Sequence, residues 1–127
     1  MDEIQVLVNG ALGKMGRTVA AAVRGAVGMD LLAEVDIGDD LAAALAKKPD
    51  VMVDFTAPGA AFTSARAALA AGVAPVIGTT GISPEQVDEV ARHAERAEIG
   101  GAIIPNFAIG AVLMMRLAET GAPYFGA

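Results

Sequence analysis

Residues 4–36 read IQVLVNGALGKMGRTVAAAVRGAVGMDLLAEVD. A short apolar run, Ile4 to Val8, stops at Gly10. Gly10, Gly13 and Gly16 then follow at equal spacing, and an Ala-rich segment runs on to about Gly28. A second apolar run, Leu31 to Val35, ends at Asp36. The pattern is strand, glycine turn, helix, strand and acid within one βαβ unit.

Each residue type has a physical reason. A strand that turns sharply into a helix needs backbone angles that a Cβ forbids, and Gly10 can take them. Gly13 leaves room for a pyrophosphate against the backbone, and Gly16 lets the helix pack close to the sheet. The unpaired N–H groups at the helix start and the helix dipole favour phosphate. Asp36, one strand over, can accept hydrogen bonds from ribose hydroxyls. The spacing is GxxGxxG rather than the commoner GxGxxG, and a ligand-free strand–helix turn is the competing reading of the glycines alone.

Composition narrows the classes. The chain has 127 residues, which suits one domain with one core, here residues 1–127. Hydrophobic residues make up 54% and aromatics only 4%, as expected for Ala- and Val-rich helices packed on a parallel sheet. A formal net charge of −6 disfavours nucleic acid as a partner. Without cysteine and with one histidine, no metal site is expected. Asp2 and Glu3 are unlike the basic start of a signal peptide, and the apolar run Phe107 to Met115 is too short to span a bilayer. A cytoplasmic protein without a membrane partner is expected.

The alternation continues along the chain. Asp39 to Lys47 reads as a short helix capped by Asp39 or Asp40, and Val51 to Phe55 as a third strand. Pro58 to Ala71 is a helix, Val73 to Ile77 a strand, and Ser83-Pro84-Glu85-Gln86 opens a helix to about Glu98. Gly101 to Ile104 is a fifth strand, and a helix runs from about Ile109 to Gly121. The expectation is an α/β fold, a doubly wound parallel sheet (Rossmann-like) with strand order 3-2-1-4-5. Its ligand belongs at the carboxyl ends of the strands. The glycine turn, Phe55-Thr56, Gly78 to Thr80 and Pro105 to Phe107 all fall there.

Those loops carry open alternatives. Gly78-Thr79-Thr80 offers two hydroxyls to a carboxamide or carboxylate, or to its own backbone. Asn106 and Phe107 can hold the edge and face of a planar ring, or form an Asn turn with Phe107 in the core. Lys14 or Arg17 can meet a phosphate, including a 2′-phosphate, whereas Asp36 repels one, so the coenzyme preference stays open. His93 lies among charged residues mid-helix and reads as surface. No catalytic residue is identified. The helix containing Met114 and Met115 is apolar nearly all round. Within this chain it can cover one face of the sheet; ordinary core packing is the simpler alternative, but the breadth of its apolar surface argues for a partner or further segment on the rest.

Five segments, VNGALGKMGR (8–17), AEVDIGD (33–39), VMVDFTAP (51–58), VIGTTG (76–81) and IPNFAIGAVLMM (104–115), together resemble the dihydrodipicolinate reductases (4-hydroxy-tetrahydrodipicolinate reductases). The resemblance implies NADH- or NADPH-dependent reduction of a small cyclic substrate in lysine (diaminopimelate) biosynthesis. It implies that Gly10, Ala11, Leu12, Gly13, Lys14, Met15 and Gly16 hold the pyrophosphate, with Lys14 near any extra phosphate, and that Asp36 holds the adenosine ribose. Phe55, Thr56, Gly78, Thr79, Thr80, Ile104, Pro105, Asn106 and Phe107 would line the nicotinamide, with Thr80 also reaching the substrate. The family continues into a second domain that binds substrate, donates the proton and forms a homo-oligomer. This chain is therefore expected to bind cofactor without turnover. A non-catalytic nucleotide- or CoA-binding module is the alternative, and a purely structural half of an assembly a weaker one.

Overall fold

The computed structural model describes residues 2–126; Met1 and Ala127, the limits of the expected domain, lie outside the described residues. Among the described residues, β1 (Ile4–Asn9), β2 (Met29–Val35), β3 (Val51–Asp54), β4 (Ala74–Ile77) and β5 (Ala102–Ile103) form one parallel sheet. The helices are α1 (Lys14–Gly25), α2 (Leu41–Leu45), α3 (Pro58–Ala70), α4 (Pro84–Ala97) and α5 (Ile109–Gly121), followed by a 3₁₀ turn, Ala122–Phe125.

Local chemistry sets these limits. Asp40 caps α2 by accepting the Ala43 N–H at 3.0 Å. Ser83 and Gln86 form a reciprocal capping box at α4, with bonds of 3.2 and 3.1 Å and Pro84 in the first turn. α1 starts at Gly13 with no side-chain cap, so its first N–H groups are left for other acceptors.

The strand order is 2-1-3-4-5, not 3-2-1-4-5. β3 lies beside β1 rather than outside β2. Asp50 ties it there: its carboxylate accepts the Gln5 N–H at 2.7 Å, and its own N–H donates to the Gln5 carbonyl at 2.8 Å. The burial pattern explains the choice. Met52 and Asp54 are fully buried, as central positions require, whereas β2 exposes Asp30 and Glu34 and suits an edge. The order reverses between β1 and β3, which places the switch point there.

The sheet is covered unequally. α1 packs on one face over Val6, Val8 and Leu31. The other face holds the larger core, with Leu7, Val35, Met52 and Ile77 meeting Leu45 of α2, Ala61, Ala65 and Ala68 of α3, and Val90 of α4. α5 covers neither face. It has no buried residue, and Ile109, Leu113, Met114 and Leu117 are exposed. The chain leaves β5 after two paired residues and passes along the sheet's upper rim, so the apolar helix finds no strand to rest on.

The pairing of β1 with β2 slips once. Val6 pairs with Leu31, but Leu7 pairs with Ala33, so Leu32 is passed over. Side chains before and after it leave on swapped faces: Leu31 lies on the α1 side, while Ala33 and Val35 join the larger core. Glu34 consequently returns to the α1 side, where it meets Arg24 of that helix.

Candidate functional site

The carboxyl ends of β1, β2 and β3 enclose a cleft of about 480 Å³, lined by Asn9, Gly10, Gly13, Asp36, Phe55 and Thr56 among others. Its floor is the glycine turn. Gly10 has φ +82°, and a Cβ there would drive into the Phe55 carbonyl. A Cβ on Gly16 would collide with the Gly10 carbonyl, so α1 reaches the turn only because that Cβ is missing. Gly13 differs: a Cβ on it would meet only the Gly10 oxygen, at 3.4 Å, and would otherwise project into open space. The turn is held from β2, since the N–H groups of Gly10 and Ala11 both donate to the Val35 carbonyl at 2.8 and 3.1 Å.

Asp36 closes the same edge. The slip at Leu32 turns it to the α1 side of β2. There its Oδ2 accepts the Leu12 N–H at 2.7 Å and its Oδ1 the Ile37 N–H at 2.8 Å. Its own N–H donates to Asp39 at 2.9 Å. The Ile37 N–H and then the Leu12 N–H hold the carboxyl below its ordinary value, so it is anionic at neutral pH. Each oxygen accepts one N–H, and a carboxylate oxygen can accept a second donor. A negative acceptor next to uncapped helix N–H groups can take a diol and a phosphate side by side.

A second cleft, about 330 Å³, lies over β3 and β4 and is lined by Met15, Phe55, Gly78, Pro105, Asn106, Phe107 and Ala108. Phe55 lines both clefts and joins them. Its ring meets that of Phe107 with centroids 5.5 Å apart, tilted by 55°. It also rests against Gly78, where any Cβ would overlap the ring. Thr80 is exposed and lines a neighbouring depression with Pro105. Ile104 is half-buried, and its N–H donates to the Ile77 carbonyl at 2.8 Å, fixing the Pro105–Phe107 segment to the end of β4.

Four loops distant in the chain therefore meet on one rim. Among the singled-out residues, Ala11 and Gly16 are buried beneath the turn, and Leu12 and Lys14 are exposed on it. Thr79 is buried with its hydroxyl turned inward, and Thr56 likewise bonds within the protein. His93 is half-buried on α4 and lines none of these clefts.

Sequence reasoning missed the group beneath the rim. Asp54, fully buried at the end of β3, accepts the Thr56 N–H (3.1 Å), the Thr56 hydroxyl (2.7 Å), the Thr79 hydroxyl (3.0 Å) and the Asn9 amide (2.9 Å). Asn9 also donates to Ser64 at 3.2 Å, and Ser64 donates to the Ala60 carbonyl at 3.0 Å. The available signal was a carboxylate inside the apolar run VMVDF.

Residues 4–107 match the sequence model of the family described as dihydrodipicolinate reductase, N-terminus. The chain is 44% identical over 147 residues to 4-hydroxy-tetrahydrodipicolinate reductase of Thermosynechococcus vestitus, covering 96% of this chain and 53% of that protein. It is 50% identical over 123 residues to the protein of that name from Beutenbergia cavernae, covering 96% and 49%. It thus spans about half the length of these relatives. The solved dipicolinate-bound dihydrodipicolinate reductase from Paenisporosarcina sp. TG-14 superposes with a TM-score of 0.82 at 33% identity, covering 96% of this chain and 54% of that one.

Proposed function

The chain belongs to the dihydrodipicolinate reductase family, and from that premise we propose that it holds NADH, in preference to NADPH, across the two joined clefts. The observation that carries this reading is Asp36, an anionic carboxylate aimed at the glycine turn from the end of β2. The adenosine ribose belongs on Asp36 and the pyrophosphate on Gly10, Gly13 and the first N–H groups of α1. Gly13 offers the gap that a phosphate needs. A 2′-phosphate would face the Asp36 charge, and Lys14, exposed on the turn, is the cation available to offset it.

The nicotinamide supplies a hydride when bound. The tilted rings of Phe55 and Phe107 wall its cleft on one side. Asn106, whose amide both donates and accepts, is the group suited to a carboxamide edge. Thr80 stands outside this cleft, on the side open to a small substrate. In the whole enzyme, hydride passes to the cyclic dihydrodipicolinate precursor in lysine (diaminopimelate) biosynthesis, with proton donation and the substrate contacts beyond Thr80 contributed from outside these residues. This chain alone then binds coenzyme with negligible turnover. A cytoplasmic setting and a homo-oligomer covering the apolar face of α5 fit that role.

The test is titration of the chain with NADH, NADPH and coenzyme A, followed by nicotinamide fluorescence and calorimetry. Saturable NADH binding, weaker NADPH binding and no coenzyme A binding are expected. Coenzyme A binding without either nicotinamide coenzyme would overturn the reading and favour a CoA-binding module.

A further inference from the structure

Beneath the rim, the loops hang from two groups, and Asn9 and Thr56 of the first cleft belong to the second of them. The glycine turn hangs from β2, through the Val35 carbonyl and the Asp36 carboxylate. The loops after β3 and β4 hang from Asp54, which takes both Thr56 donors and the Thr79 hydroxyl on one oxygen. Its other oxygen takes the Asn9 amide from the end of β1. Every one of these partners donates, and no lysine, arginine or histidine is among them. Asp54 reaches neither cleft itself, being fully buried. A buried carboxylate satisfied only by neutral donors costs desolvation that an apolar residue would not, so fold stability alone is a poor reason to place it here. What it does is fix the spacing of three strand ends.

We propose that Asp54 is the positioning residue of the wall between the two clefts, setting Phe55 and Gly78 through Thr56 and Thr79, while the glycine turn itself stays on Val35 and Asp36. This rests on the coenzyme reading above. The ring of Phe55 touches the Gly78 backbone with no space to spare, so the loops after β3 and β4 must keep their spacing for the ring to stand between the two clefts. Losing the common acceptor frees the two threonine hydroxyls and lets that spacing relax.

The experiment compares NADH with AMP, which occupies only the adenosine half. Dissociation constants are measured by calorimetry for the unaltered chain, for Asp54→Asn, and for the exchanged pair Asn9→Asp with Asp54→Asn, alongside thermal melts. In Asp54→Asn, two amides face each other where an amide met a carboxylate. NADH should weaken by about tenfold or more while AMP, whose cleft shares Asn9 and Thr56 but whose turn hangs from β2, weakens by about threefold or less. The exchanged pair restores a donor facing an acceptor and, because Asn9 lines the first cleft, is read as the ratio of NADH to AMP affinity, which should return to within about threefold of the unaltered chain's. Should Asp54→Asn not fold, Thr79→Val removes one hydroxyl in nearly the same volume and should show the same NADH-selective loss. Equal weakening of NADH and AMP, or none in a folded variant, sinks the inference. If the unaltered chain binds neither NADH nor AMP, the coenzyme reading itself has failed.

Discussion

Asp36 and Leu12 are joined across the end of β2 and the glycine turn by a 2.7 Å bond from the Leu12 N–H to the carboxylate. The acid expected to read the ribose therefore also shapes the turn expected to hold the pyrophosphate. Replacing it should disturb both. Asp36→Ala should weaken NADH by about tenfold or more, corresponding to loss of charge-assisted hydrogen bonds. NADPH should weaken less, because the charge facing its 2′-phosphate is gone. Parallel fluorescence titrations with the two coenzymes check this; equal losses would refute a discriminating role.

The three glycines of the turn should fail in different ways. Gly10→Ala forces a Cβ onto a residue at φ +82° and into the Phe55 carbonyl, which should cost about 2–5 kcal/mol of stability. Gly13→Ala meets only one atom at 3.4 Å and keeps an ordinary φ of −70°, so the melting temperature should barely move. Its methyl group instead fills the phosphate gap, and NADH affinity should fall by about tenfold or more. Melts and titrations of the pair separate a folding glycine from a binding one.

The carboxyl of Asp36 has its pKa lowered from the ordinary 3.8, chiefly by the Ile37 N–H and next by that of Leu12. A lowered folded-state value means that its contribution to stability is complete above the unfolded value and is lost as pH falls through the folded one. Ribose binding follows the same proton. NADH affinity should be flat from pH 8 to about pH 5 and decline only below about pH 4, with no Asp36-linked step near neutrality. A titration of affinity against pH that breaks near pH 6 in the unaltered chain but not in Asp36→Asn would contradict this.

The α4 cap lies away from both clefts. Ser83→Ala removes the acceptor of the Gln86 N–H and should destabilise the fold by about 1 kcal/mol. NADH affinity should stay within about twofold. A large loss of affinity would mean that α4 is coupled to the rim.

Much of this was legible in the sequence because the elements are short and sharply punctuated. Pro58, Gly72 and the Ser83–Gln86 box mark ends that hold to within a residue or two. The loops that meet on the rim were also readable, since they follow from alternation and handedness alone. The strand order was misread because two doubly wound orders share the same alternation. The difference that separates them is the apolar run Val51-Met52-Val53 against Asp30 and Glu34 within β2, which suits β3 to the centre and β2 to the edge. The Asn9–Asp54–Ser64 group joins residues 45 and 55 positions apart, and no local spacing announces such a set. The position of α5 was misjudged because an apolar helix states that it needs cover, not where the cover comes from.

The unpaired Leu32 has a consequence for the length of β2. Strand side chains alternate with a period of two, so the direction of Asp36 depends on whether the count of residues from the slip to the acid is odd or even. A single-residue insertion or deletion between Leu32 and Asp36 should swing the acid to the far side of the sheet and abolish the Leu12 bond. A two-residue change should preserve it. Length variation in this strand is therefore tolerated in pairs, and its arithmetic, rather than its composition, keeps the acid in reach of the turn.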